Sequence, residues 1–190
     1  MIGNDIVDLE LAARESNFMR PGLQEKVLTE AERYVIRTSK FPEEQFWLFW
    51  TMKEAVYKAH QRRFNLSRKF NPKEFKCSCK VSMDFRISGT VYIQNFKYST
   101  DAKLSEGFIH CLATASPSEE IKFKIFSEKT ALKKALISSF SRLHRLQSED
   151  VEILKHPNGI PQLLYCGKHK RHAFSLSHHG RFSAFAYAVN

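Results

Sequence analysis

The sequence predicts an α+β fold arranged as two lobes. Three observations carry that expectation. Cys77–Ile87 alternates apolar and polar side chains with a period of two, as a half-buried strand does. Thr29–Lys40, and the stretch from Pro42 to about His60, carry helix signals. A helix, a polar turn and strands closing on a small-residue run occur twice. One copy ends His110-Cys111-Leu112-Ala113-Thr114-Ala115, the other Ala184-Phe185-Ala186-Tyr187-Ala188. The repetition points to a pseudo-twofold pair of α+β lobes with a ligand cleft between them. Chance similarity of two buried strands is the alternative.

Met1–Leu9 reads as a short strand and turn, with Gly3 early and carboxylates at Asp5 and Asp8. Thr29 with Glu32 three residues on is a capping box for the first helix. Phe41-Pro42 ends that helix. Pro42, Glu43 and Glu44 then suit the first turn of a second one, which runs through Phe46, Phe49, Trp50 and Ala55. In Cys77–Ile87 the odd-numbered residues form the apolar face, so Cys77 and Cys79 read as small core residues. Ser88-Gly89 is expected to turn the chain into a hairpin partner, Thr90–Tyr98, with a further strand over Gly107–Ala115. A lobe boundary is expected within Lys124–Glu128, dividing the chain into 1–126 and 127–190 within one compact unit. The helix that follows shows Leu132, Leu136, Phe140 and Leu143 on one stripe. Asn158, Gly159 and Pro161 form a turn, and Phe182–Val189 is the last strand.

Composition narrows the function classes. The 190 residues are 43% hydrophobic and include 16 Phe, too much apolar surface for a disordered chain. No apolar run reaches bilayer length, and the N-terminus does not resemble a secretory signal. Four cysteines without a CxxC pair read as reduced thiols of a cytoplasmic protein. The net charge of +10 calls for an anionic partner. Lys53–Lys80 is its densest stretch, with nine basic residues against two acidic ones.

Candidate chemistry sits in three places. Trp50, Glu54 and Lys58 are spaced four apart on one helix face. The plain reading is a surface ion pair; Trp50 and Phe46 on the same stripe place it instead at the edge of a core, where charges need partners. Asp5, beside Gly3, would add a second hard oxygen ligand to Glu54, enough for Mg2+ with waters and substrate phosphates. Two carboxylates, a lysine and a basic rim read as Mg-dependent phosphoryl chemistry. Phe174-Ser175-Leu176-Ser177-His178-His179-Gly180 suits an anion contact better than a nucleophile–base pair. A metal cluster of His169, His172, His178 and His179 is crowded by Lys168, Lys170 and Arg171.

These residues resemble the 4'-phosphopantetheinyl transferase superfamily, including its holo-acyl-carrier-protein synthase branch. Gly3-Asn4-Asp5-Ile6-Val7 is similar to its G-(I/V)-D motif. Phe49 to Lys58 is similar to its (F/W)-(S/T/C)-x-K-E-(A/S)-x-x-K motif. Ser175-Leu176-Ser177-His178, preceded by Asn158-Gly159-Ile160-Pro161, is similar to its S-x-S-H strand and N-G-x-P turn. The resemblance implies transfer of the phosphopantetheine arm of coenzyme A to a serine of an acidic apo carrier protein, releasing 3',5'-ADP. By it, Asp5 and Glu54 ligate Mg2+ and Glu54 helps deprotonate the serine. Lys58 neutralises phosphate charge, with Lys53 close by as support. Ser177 and His178 hold the adenosine 3'-phosphate.

The chain departs from the pattern. Val7 stands where two-lobed members carry a second acid, and Asp8 follows as in the short members. Ile160 replaces a common basic residue. The S-x-S-H strand comes last, as in short members, although 190 residues is long for them. Two lobes in permuted order reconcile these features. They favour a monomer over the trimer of short members. The competing functions are a nucleic-acid-binding module and a metal-dependent phosphohydrolase. Neither a nucleic-acid-binding signature nor the lysine spacing usual in nucleases supports them.

Overall fold

The computed structural model describes residues 1–81, 86–116, 118–128, 131–156, 159–165, 168–170 and 172–189. Residues 82–85 of the alternating stretch, Asn158, Arg171 and the fourth cysteine, Cys166, fall outside them, as do the side chains of Lys80, Val81 and 168–170. In chain order the elements are β1 (Ile2–Asp8), α1 (Leu9–Glu15), α2 (Leu23–Val27), α3 (Glu30–Thr38) and α4 (Pro42–Phe64). There follow β2 (Lys76–Val81), β3 (Arg86–Ile93), β4 (Phe96–Ser105), β5 (Phe108–Thr114) and β6 (Ile121–Phe126). The chain then forms α5 (Leu132–His144), β7 (Val151–Lys155), β8 (Pro161–Tyr165), β9 (Lys168–Lys170), β10 (Phe174–His179) and β11 (Phe182–Ala188). This is the α+β class. No helix among the described residues is long and apolar enough to cross a membrane.

The first sheet has the order β1-β5-β4-β3-β2 and is antiparallel throughout. Helix α4 lies against it, burying Phe46, Phe49, Met52, Ala55, Val56 and Ala59 against Val91, Tyr98, Ile109 and Cys111. A second sheet, β10-β11-β6, packs Phe174, Phe185 and Tyr187 under Leu136 and Phe140 of α5. Strand β6 pairs with β11 and with no strand of the first sheet. The third sheet is β7-β8-β9. Ile2 of β1 joins Ala186 and Ala188 of β11 in a small core that ties the first two sheets together.

The capping box of α3 forms as the sequence expects: Glu32 N–H donates to Thr29 Oγ1, and Thr29 N–H donates to Glu32 Oε2. The expected hairpin differs. Cys77–Ile87 is not one strand, because β2 and β3 pair antiparallel with Cys79 opposite Gly89. Ser88 and Gly89 therefore lie inside β3, and the next reversal falls at Gln94 (φ 51°). The apolar positions of β2 and β3 are in phase along the sequence, so alternation alone did not separate the two strands. The helix expected from within Lys124–Glu128 starts at Leu132, because the chain stays extended as β6 to Phe126. Helices α1 and α2 are too short for an amphipathic period to show.

Gly3 decides how closely β1 approaches α4. A Cβ there would collide with the Ala55 carbonyl oxygen and lie 2.8 Å from the Ala59 nitrogen. Both are helix backbone atoms that cannot move aside. Gly3→Ala is expected to lower stability by about 1–3 kcal/mol, the usual cost of overpacking. Urea denaturation measures it, and an unchanged midpoint would show that the approach is looser than drawn here.

Candidate active site

The close contact at Gly3 puts the next odd-numbered residue of β1, Asp5, against the same face of α4. Lys58 Nζ donates to Asp5 Oδ1 at 2.8 Å and to the Asn4 carbonyl at 3.1 Å. Glu54, one turn earlier on α4, is half-buried beside them. Its carboxyl is pushed up to about 7, first by burial and then by the negative charge of Asp5, with Lys58 and Arg68 acting the other way. Burial also raises Asp5, opposed by Lys58, the Ile6 amide and His179. Both carboxylates are short of compensating charge. Asp5 of β1 thus meets Glu54 and Lys58 of α4, about fifty residues on, at one partly desolvated site.

Two partly desolvated carboxylates, one of them raised further by the charge of the other, suit a hard divalent cation, which takes oxygen ligands and leaves room for water and phosphate. The described residues contain no group of three or more His, Cys, Asp or Glu side chains able to hold a metal; Asp5 and Glu54 are two carboxylates that could share one. Asp8 is engaged elsewhere. Its Oδ1 caps α1 through the Glu10 and Leu11 amides, and Arg181 grips both oxygens at 2.9 and 3.0 Å. Those bonds hold its carboxyl well below the usual range. Gly180, at φ 55°, makes that approach possible, because a side chain there would strike the Asp8 carboxyl.

Lys53 is the clear correction. It is fully buried, and its Nζ donates to Glu32 Oε2 at 2.7 Å and to the Val27 and Pro72 carbonyls at 3.0 Å each. All three protons are taken inside the protein, so Lys53 offers nothing to a ligand. Adjacent residues of a helix point 100° apart, which is why Lys53 faces α3 while Glu54 faces β1.

The S-x-S-H strand is split as well. Ser175 Oγ accepts from the Asn4 amide at 2.9 Å, so the odd-numbered residues of β10 face β1. Ser177 shares that face, buried, and its Oγ has no partner among the described residues. His178 faces the other way, exposed, and lines a cavity of about 620 Å³ with Leu132, Arg181 and Phe182. The Ser177 and His178 side chains therefore do not converge on one phosphate. Of the four histidines, His172 packs against Phe140 and His144, His178 and His179 are on opposite faces of β10, and the His169 side chain lies outside the described residues.

Two residues near the site had no role of this kind assigned from the sequence: Arg68, and His179, which was considered only within the anion-contact segment and the four-histidine cluster. Arg68 lies close enough to Glu54 to favour its ionised form. The loop carrying it folds back because Asn65 ends α4 in the left-handed region and Phe70 docks on Trp50, Tyr57 and Phe75. His179 lies near Asp5 from the side of β10. Arg68 had only its place in the basic stretch as a signal, and His179 only its parity with Ser175 and Ser177.

No curated protein matches the chain significantly. A family model for the 4'-phosphopantetheinyl transferase superfamily matches residues 1–113, the segment that builds β1, α4 and the Asp5–Glu54–Lys58 site. That match takes in more than half of the chain and every residue of the site's core, and this protein belongs to the 4'-phosphopantetheinyl transferase superfamily.

Proposed function

We propose that the protein transfers the 4'-phosphopantetheine arm of coenzyme A to a serine of an acidic apo carrier protein, releasing 3',5'-ADP. The observation that carries this reading is the meeting of Asp5, Glu54 and Lys58 at one partly desolvated site. Asp5 and Glu54 would hold Mg2+, which when bound neutralises charge on the diphosphate of the donor.

In this reading Glu54, directly or through a metal-bound water, takes the proton of the attacking serine hydroxyl. The serine oxygen bonds to the phosphorus that bears the pantetheine, and the P–O bond to the adenosine-side phosphate breaks. The leaving phosphate oxygen carries the released charge. Lys58 meets that charge while keeping Asp5 oriented, and Arg68 adds a second cation at the rim. His178 and Arg181 beside the 620 Å³ cavity are suited to the 3'-phosphate end of coenzyme A. The excess of basic residues suits both a polyanionic donor and an acidic carrier. We also hold to a monomer of two lobes.

The test is intact mass of a carrier. An apo acyl carrier protein incubated with coenzyme A, Mg2+ and this protein should gain one phosphopantetheine arm, and EDTA should abolish the gain. Absence of any gain on fatty-acid, polyketide and peptidyl carriers, together with no binding of coenzyme A, would reject the reading. Metal-dependent cleavage of a phosphodiester without a carrier would favour the phosphohydrolase instead.

A further inference from the structure

Strands β1 and β10 run side by side in the same direction, and two hydrogen bonds between them have side-chain acceptors. The Asn4 amide donates to Ser175 Oγ at 2.9 Å, and four residues on the Asp8 amide donates to His179 Nδ1 at 3.0 Å. A backbone amide can only donate, so Nδ1 carries no proton and the neutral ring is protonated on Nε2. Among the described residues Nε2 makes no hydrogen bond, although His179 is only part-exposed. Its ring is on the face of β10 that carries the buried Ser177 hydroxyl, opposite to the face of His178. Asp5, on the same strand as Asp8, is within electrostatic reach of His179.

A ring so placed is a donor with its orientation already set. One nitrogen is pinned to the strand that bears Asp5, and the other presents N–H where nothing among the described residues accepts it. Near two carboxylates that gather a cation and its phosphates, the fitting acceptor is a phosphate oxygen. We propose that His179 is a substrate-binding residue whose Nε2–H donates to the diphosphate of the coenzyme A donor beside Asp5 and Glu54. This rests on the transferase reading, and it gives His179 a ligand group different from that of His178.

The two nitrogens can be removed separately. In His179→Asn the amide oxygen stands near the Nδ1 position, so the bond from Asp8 is kept and the distal donor is lost. In His179→Gln the amide nitrogen stands near the Nε2 position, so the donor is kept and the bond from Asp8 is lost. With an apo carrier and Mg2+, His179→Asn is expected to melt as the wild type does, to raise KM for coenzyme A roughly 10- to 100-fold, and to change kcat little. The penalty should be equal with 3'-dephospho-coenzyme A, which retains the diphosphate. His179→Gln should melt lower and keep most of the affinity. An unchanged KM in His179→Asn while the wild type transfers would overturn the proposal, as would a penalty that vanishes with the 3'-dephospho donor. If the wild type neither transfers nor binds coenzyme A by calorimetry, the transferase reading itself fails, and the proposal with it.

Discussion

Glu54→Gln is expected to reduce transfer by about a thousandfold or more while the protein stays folded. The substitution removes the proton acceptor together with one of two oxygen ligands, and general-base catalysis alone is worth roughly a hundred- to ten-thousandfold. Folding should survive because the neutral amide resembles the protonated carboxyl that the half-buried site already favours. That preference has a signature in the metal-free protein. The folded Glu54 carboxyl titrates at about 7, against an ordinary 4.5. Between those values the folded state holds a proton that the unfolded chain has released, so stability falls as pH rises through the window. The decline is bounded at roughly 3 kcal/mol, less whatever water entering the site relieves. Asp5 is raised too and adds a decline of the same sign from 3.8 upward. Urea unfolding in EDTA between pH 4.5 and 7 should show a shallower decline in Glu54→Gln than in the wild type. Equal slopes would mean that the Glu54 carboxyl is well solvated.

Lys53→Met is expected to act on the fold rather than on the donor. It strips the only cation from a fully internal ion pair. Glu32 would then be left at 2% exposure with its remaining bonds to the Thr29 and Cys77 amides, and the Val27 and Pro72 carbonyls would lose their donor. Breaking such a pair from one side costs about 3–5 kcal/mol. For a chain of this size that lowers the melting temperature by roughly 10 °C or more. The double variant Lys53→Met/Glu32→Gln should recover part of the loss, because no bare charge remains. The molecules that stay folded should keep the wild-type KM for coenzyme A. A raised KM with an undiminished melting temperature would return Lys53 to the active site.

These two neighbours on α4 show where the sequence is readable and where it is not. The four-residue spacing of Trp50, Glu54 and Lys58 is a helix property, and the structure keeps all three on the side of α4 that meets β1 or the core edge. Lys53 stands in the same motif. Its destination depended on Glu32 and two carbonyls in segments whose positions no local period encodes. The same division holds at β10. Alternation separates Ser175, Ser177 and His179 from His178 once the strand is known. Which face meets β1 follows only from the packing of two sheets, seen in the bond from Asn4 to Ser175.

The α+β class, the capping box of α3, the amphipathic face of α5 and the common helix face of Glu54 and Lys58 follow from residue types and spacing, because helices and strands impose their periods over a few residues. The partner of Lys53, the diversion of Asp8 to Arg181, the return of Arg68 to Glu54 and the side of β10 that faces Asp5 were decided by tertiary structure alone. Each depends on a contact between segments brought together by burial, and a buried charge takes whichever partner the finished packing places beside it.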